Sequence, residues 1–263
     1  MTLAQSLLLG LLQGVTEFLP VSSSGHLAIV QHLLPGFSQP GVFFDVLLHL
    51  ATMLAVVLYF RRDLFALARS PLRRDQADRD HFRILLLLLL ASLPTAVIGL
   101  AGKDFFEGLF TNLPVVGLML LVTGSLLFVA ARYQRPGRLQ PELRVSDALW
   151  VGTVQGLAII PGISRSGSTI ATLLLKGVDG ETAARFSFLL ALPAVLGAAL
   201  LSLRDLHAVP TGQLPIYFAG AAAAFAAGLA SIHLLLGVIR QRRLTLFAIY
   251  CWGLGGLVFW LTI

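Results

Sequence analysis

Six stretches of this chain are apolar enough, at close to 20 residues each, to cross a bilayer as helices: roughly 41–60, 84–101, 113–131, 183–203, 214–238 and 244–262. A spanning helix needs about 20 mostly apolar residues. In hydrocarbon every backbone polar group must be satisfied within the chain, which restricts the spans to helices here. The expected fold is therefore an all-α polytopic membrane protein, a single integral membrane domain over 1–263. Only 12% of the residues are charged, against about 25% in a soluble domain. An ordinary soluble enzyme, a disordered chain and a collagen-like chain are excluded.

Two further segments, 3–34 and 146–176, are apolar at both ends and polar in the middle. Each reads as two half-helices around a loop of Pro, Gly, Ser and charge, and neither half reaches spanning length. Irregular backbone at membrane depth is tolerated only beside protein or a water-filled cavity. Each segment is thus expected to be a re-entrant helix hairpin lining a site.

The net charge of +6 is unevenly placed. Fourteen of the 19 basic residues lie in three stretches: Arg61, Arg62, Arg69, Arg73, Arg74, Arg79 and Arg83; Arg132, Arg135, Arg138 and Arg144; and Arg240, Arg242 and Arg243. The positive-inside rule puts these stretches, read as loops, in the cytoplasm. The connections holding Lys103, with Asp104 and Glu107, and Arg204 go outside. No nucleic-acid partner is needed; anionic lipid headgroups suffice. Counting spans from these loops, 146–176 must begin and end inside, and 3–34 must begin and end outside. That parity suits hairpins and not single spans. The N-terminal region has no basic segment before its apolar run, so no cleavable signal peptide is expected. Cys251, the single cysteine, excludes an internal disulfide and reads as a small membrane-helix residue.

The broken segments resemble each other. LLQGVTEFLPVSSSGHL (11–27) and TVQGLAIIPGISRSGSTI (153–170) share Gln-Gly, an apolar turn, a Pro and a Ser/Gly loop, about 142 residues apart. Each half, 1–135 and 146–263, would hold one hairpin and three spans. Three is odd, so the halves would be inverted repeats. Paired broken helices in inverted halves point to a site near the bilayer midplane.

The second loop sets Arg165 among Ser164, Ser166, Gly167 and Thr169. Glycine lets N–H groups turn toward an anion, the following half-helix favours negative charge at its start, and a guanidinium fork suits phosphate. The first loop brings Glu17, Ser22, Ser23, Ser24, Gly25 and His26. A carboxylate beside a phosphate cradle calls for a cation between them; Mg²⁺ or Ca²⁺ takes oxygen ligands. Ser23 needs a base or a metal to become a nucleophile, and His26, three residues on, is within reach if the loop turns helical. Asp45 and His49 share one helix face and are placed behind these groups, as is Gln155. His32 has no evident partner. Gly10, Gly14 and the Ala/Gly run 219–230 suggest close helix packing.

EFLPVSSSGH (Glu17 to His26) and PGISRSGST (Pro161 to Thr169) together resemble the undecaprenyl-diphosphate phosphatases of the bacitracin-resistance type, and the length and the arrangement of spans resemble them over nearly the whole chain. The resemblance implies removal of the terminal phosphate of undecaprenyl diphosphate, recycling the lipid carrier of peptidoglycan and other envelope glycans. It also implies dependence on a divalent metal, a place in the bacterial plasma membrane and action at its outer face. It gives Glu17 to the metal, Ser23 as nucleophile, His26 as base or phosphate contact, and Arg165 with Ser164, Ser166 and Thr169 to the diphosphate. Several members of that family carry glutamate where this chain has Gln13, which can still offer metal its amide oxygen. Position 171 is Ala171, where type 2 phosphatidic acid phosphatases would carry histidine, and that family is set aside. The competing reading is a lipid-phosphate transporter or flippase using the same cradle. Chain-length preference and assembly, including a homo-oligomer, stay open.

Overall fold

The computed structural model describes residues 1–38, 43–72, 75–133, 137–202 and 211–263. Arg73, Arg74, Arg135, Arg204 and the outermost residues of the 41–60 and 183–203 segments lie outside the described residues. Twelve α-helices are described: α1 Leu3–Phe18, α2 Ser23–Leu33, α3 Phe43–Tyr59, α4 Arg61–Arg69, α5 Gln76–Ala101, α6 Lys103–Leu109, α7 Leu113–Tyr133, α8 Val145–Leu157, α9 Arg165–Leu175, α10 Gly180–Ser202, α11 Leu214–Arg240 and α12 Thr245–Thr262. Among the described residues there is no strand, only an isolated bridge between Arg138 and Val178. Five helices (α5, α7, α10, α11, α12) are long and apolar enough to cross a membrane, and α3 with the segment Arg61–Leu72, bent by 76°, counts as a sixth if the bent pair is one span. The chain is an α-helical multi-pass membrane protein.

Two expectations about loops need correction. The basic stretch 61–83 is not a loop: Arg61–Arg69 is α4, and α5 begins at Gln76. The Asp75 side chain accepts the Asp78 N–H at 2.8 Å, capping α5 well before its apolar part. Apolarity marks the embedded length of a helix, not its full length. For the same reason α11 runs on to Arg240, and the stretch around Lys103 and Asp104 is the short helix α6.

The two broken segments form helix pairs. Thr2 caps α1, with Gln5 reciprocating. Pro20 pushes Leu19 into the extended region and ends α1. Ser22 then caps α2 by accepting the Gly25 N–H at 3.2 Å. In the second pair, Ser164 caps α9 by accepting the Gly167 N–H at 3.0 Å. The intervening turn uses Gly162 at φ +96°, where a Cβ would lie 2.7 Å from Met119 Cβ. Both the conformation and the closeness of α7 require glycine there.

The mouths of the pairs lie at opposite ends of the bundle. Gln5, at the start of α1, donates to the Pro35 carbonyl just beyond α2 at 3.0 Å. Ser6 donates to Ile216, at the start of α11. In the second pair one guanidinium, Arg138, donates to Asp147 at the start of α8 at 2.8 Å and to the Lys176 carbonyl at the end of α9 at 2.9 Å. Asp179 and Glu181 follow directly, and Arg240 at the far end of α11 donates to Glu181 at 3.1 Å. The 27 residues of α11 separate the two mouths by about 40 Å. Each pair therefore opens at its own end of the bundle. The stretches carrying Asp63 and Arg240 share one end, tied to Arg185 and Glu181 of α10, and Arg138 joins them there by accepting the Asp179 N–H just before α10.

Small residues bring helices close. Gly10 packs on Gly220, and at Gly14 a Cβ would lie 2.5 Å from the Ala224 carbonyl and 2.9 Å from Gly228 N. The Gly10/Gly14 stripe and the Ala/Gly run thus pack against each other, the close approach small residues allow in membranes. Gly117 and Gly255 do the same between α7 and α12.

Candidate functional site

The tips of the two helix pairs meet inside the bundle. A Cβ on Gly25 would lie 3.1 Å from Gly162, and one on Gly167 would lie 3.1 Å from Pro20. Each loop carries a glycine against the other's turn. Ser166 donates to the Leu19 carbonyl at 3.3 Å, and Thr123 of α7 holds the second loop by donating to Gly162 O (2.9 Å) and accepting the Ser164 N–H (3.0 Å).

Glu17 stands at the centre, with its side chain 3% exposed. Its Oε1 is bonded by the Arg165 guanidinium. Its Oε2 accepts the Ser23 hydroxyl at 2.7 Å and the Gln13 amide at 2.8 Å, and lies 3.0 Å from His49 Nδ1. Ser23 and Arg165 are each the first residue of a second half-helix. The two helix starts thus grip one carboxylate from opposite sides. An isolated charge at this depth would cost several kcal/mol; pairing Glu17 with Arg165 avoids two such charges. Arg165 Nη1 and Gln13 Oε1 are buried and have no hydrogen-bond partner among the described residues. One cationic donor and one oxygen acceptor therefore face inward unspent.

The other expected residues fall in different places. His26 is not paired with Ser23. Its Nδ1 meets the Ser22 carbonyl at 2.7 Å and its Nε2 the Tyr250 hydroxyl at 2.7 Å. The helical turn that brings His26 near also points its ring toward α12. His49 is nearer than expected, in direct contact with Gln13 and Glu17. Asp45, one turn away, accepts from Gln31 of α2 at 2.6 Å. Ser22 and Ser164 serve as caps, with Ser24 and Ser166 beside them at 3.3 and 3.4 Å. Thr169 bonds Ser187 of α10 at 2.6 Å and the Arg165 carbonyl. Gln155, the counterpart of Gln13, lies apart from Glu17 and reaches Thr95 and the Leu190 carbonyl. Cys251 is buried, its thiol turned to the Pro20 carbonyl. Tyr250 and Thr123 carried no signal in the sequence, because they join the site only through the packing of α12 and α7.

For a metal, no cluster of three His, Cys, Asp or Glu suited to an ion occurs among the described residues. The unpartnered Gln13 oxygen beside the Glu17 carboxylate is an oxygen pair of the kind a hard divalent cation accepts, short of a full shell.

A multi-pass helical protein with an acid, a hydroxyl and a guanidinium gathered from two opposed helix pairs is the class that fold and site define. Residues 6–257 match the family model described as "Bacitracin resistance protein BacA", and the chain belongs to that family. A protein of Syntrophotalea carbinolica is 60% identical over 98% of this chain and 98% of its own length; one of Desulfosudis oleivorans is 45% identical over 98% and 97%. One of Desulforapulum autotrophicum is 42% identical over 97% and 96%. All three are named "Undecaprenyl-diphosphatase".

Proposed function

We propose that this chain hydrolyses the terminal phosphate of undecaprenyl diphosphate, yielding undecaprenyl phosphate for reuse in peptidoglycan and envelope glycan synthesis. Its family and the names of its relatives support the reaction. The observation that carries the mechanism is the Ser23 hydroxyl donating to Glu17 at 2.7 Å beside Arg165. Ser23 Oγ attacks the terminal phosphorus while its proton passes to Glu17 Oε2. The bond from phosphorus to the bridging oxygen breaks and the lipid monophosphate leaves. Water then cleaves the phosphoserine to inorganic phosphate and restores Ser23. Arg165, through Nη1, and the N–H groups at the starts of α2 and α9 neutralise the phosphoryl oxygens. His26, with its ring nitrogens engaged by the Ser22 carbonyl and the Tyr250 hydroxyl, steadies the turn that carries Ser23, and Glu17 takes the role of base. A bound Mg²⁺ or Ca²⁺ would be held by Glu17 and the Gln13 oxygen and would neutralise phosphate charge.

In this reading the two halves, 1–135 and 146–263, are inverted repeats of one domain, supported by the opposite mouths of the helix pairs. The basic end lies in the cytoplasm of a bacterial plasma membrane. The first pair then opens to the outer side, where the diphosphate is taken, with the polyprenyl tail among membrane lipids. One observation favours a lipid-phosphate flippase: the pairs open to opposite ends, as broken helices do in transporters.

The test is phosphate release from a polyprenyl diphosphate by purified protein in detergent, with Mg²⁺ and with EDTA, for the parent chain, Ser23→Ala, Glu17→Gln and Arg165→Ala. Release by the parent, lost in all three variants and reduced by EDTA, is expected. Unchanged release in the variants would sink the site. Activity retained by Ser23→Ala but lost in Glu17→Gln would replace the serine by a metal-held water. Headgroup binding without release would favour transport.

A further inference from the structure

His26 is 6% exposed and its imidazole is held at both nitrogens. Nδ1 faces the Ser22 carbonyl at 2.7 Å. A carbonyl cannot donate, so Nδ1 carries the proton, and in the neutral ring Nε2 is left with a lone pair. That lone pair faces the Tyr250 hydroxyl at 2.7 Å, and the two rings lie 5° from parallel with centroids 5.7 Å apart. α12 reaches the first loop because Ala248 and Cys251 pack with Val21 and Leu127, and Cys251 meets the Pro20 carbonyl. Tyr250, next in sequence, is thereby set over the imidazole, with its own outer side about half exposed.

From this geometry we infer that Tyr250 is a positioning residue: its hydroxyl donates to Nε2 and, with the Ser22 carbonyl, locks His26 in its Nδ1–H tautomer and in one orientation against the turn that carries Ser23. The two bonds act on opposite edges of one ring. The Ser22 carbonyl fixes which nitrogen holds the proton, and the phenol fixes where the other nitrogen points. Helix α12 thus adds a residue to a site otherwise built by α1, α2, α3, α7 and α9. The kinetic part of this inference rests on the phosphatase reading; the tautomer does not.

Tyr250→Phe removes the hydroxyl and keeps the ring. In detergent-purified protein kcat for polyprenyl diphosphate should fall about tenfold, the loss of one orienting hydrogen bond, while KM is unchanged. In ¹⁵N-histidine-labelled protein the Nε2 resonance of His26, identified by its absence in His26→Gln, should move in Tyr250→Phe. Parent-like kcat with unmoved His26 resonances overturns the inference. So does a raised KM at unchanged kcat with unmoved resonances, which would make the phenol a substrate contact. If the parent protein releases no phosphate, the phosphatase reading falls and the resonance alone decides the positioning role.

Discussion

Gly14→Ala tests whether the close approach of α1 and α11 sets the site. The added methyl would lie 2.5 Å from the Ala224 carbonyl, 2.6 Å from Ala227 Cβ and 2.9 Å from Gly228 N. Ordinary contact begins near 3.4 Å, so α1 must move by about 1 Å, and two of the three obstacles are backbone. Overpacking of this kind costs about 1–3 kcal/mol. Gln13 and Glu17 ride on α1, while Arg165 belongs to α9 and His49 to α3. The carboxylate would shift against both, and a displacement of about 1 Å at reacting groups can cost about 10²-fold in rate. Initial rates of phosphate release in detergent measure this, with Gly253→Ala as control, since its Cβ would meet nothing within 4 Å. The expected result is a monodisperse, nearly inactive Gly14→Ala protein and a fully active Gly253→Ala protein. Full activity in Gly14→Ala, or equal loss in both, would refute the reasoning.

Thr123→Val keeps the shape of the side chain but leaves the Gly162 carbonyl and the Ser164 N–H without their partner. A loss of about 1–3 kcal/mol for each group should lower the thermal midpoint in detergent, and kcat with it, because Arg165 follows that turn. Arg138→Ala unties Asp147 from the Lys176 carbonyl. Hydrogen exchange should quicken at the ends of α8 and α9, far from Glu17, while Ser23 and Arg165 stay protected; unchanged exchange would show that the mouth of the second pair is held by other contacts.

The helix pairs were legible because Pro20, Pro161 and the serine-glycine runs interrupt apolar helices too short to span. Glu17, Ser23 and Arg165 were legible as charges and hydroxyls at a depth where apolar side chains are the rule. Their mutual geometry was less so. The four-residue spacing of Asp45 and His49 gives a shared face, but only the packing of α3 beside α1 decides that His49 reaches Glu17. The nearness of His26 to Ser23 in sequence suggested a pair, yet the ring turns outward to Tyr250, which lies 224 residues away. Stretch 61–83 misled for a different reason: charge density excludes a segment from the bilayer without preventing it from being helical.

The clasp between Glu17 and Arg165 has a consequence for selectivity. A guanidinium already matched by a carboxylate is a weak trap for passing anions, because Glu17 offsets its charge and leaves only Nη1 to an arriving phosphate. A small anion would bring only its charge to that site, whereas the proposed lipid diphosphate would also be held in place by a tail anchored in the membrane. In the proposed reaction the resident carboxylate would thus act as a tethered rival that weakens the hold on free phosphate and sulfate, while the tail supplies the binding energy that keeps the lipid diphosphate beside it.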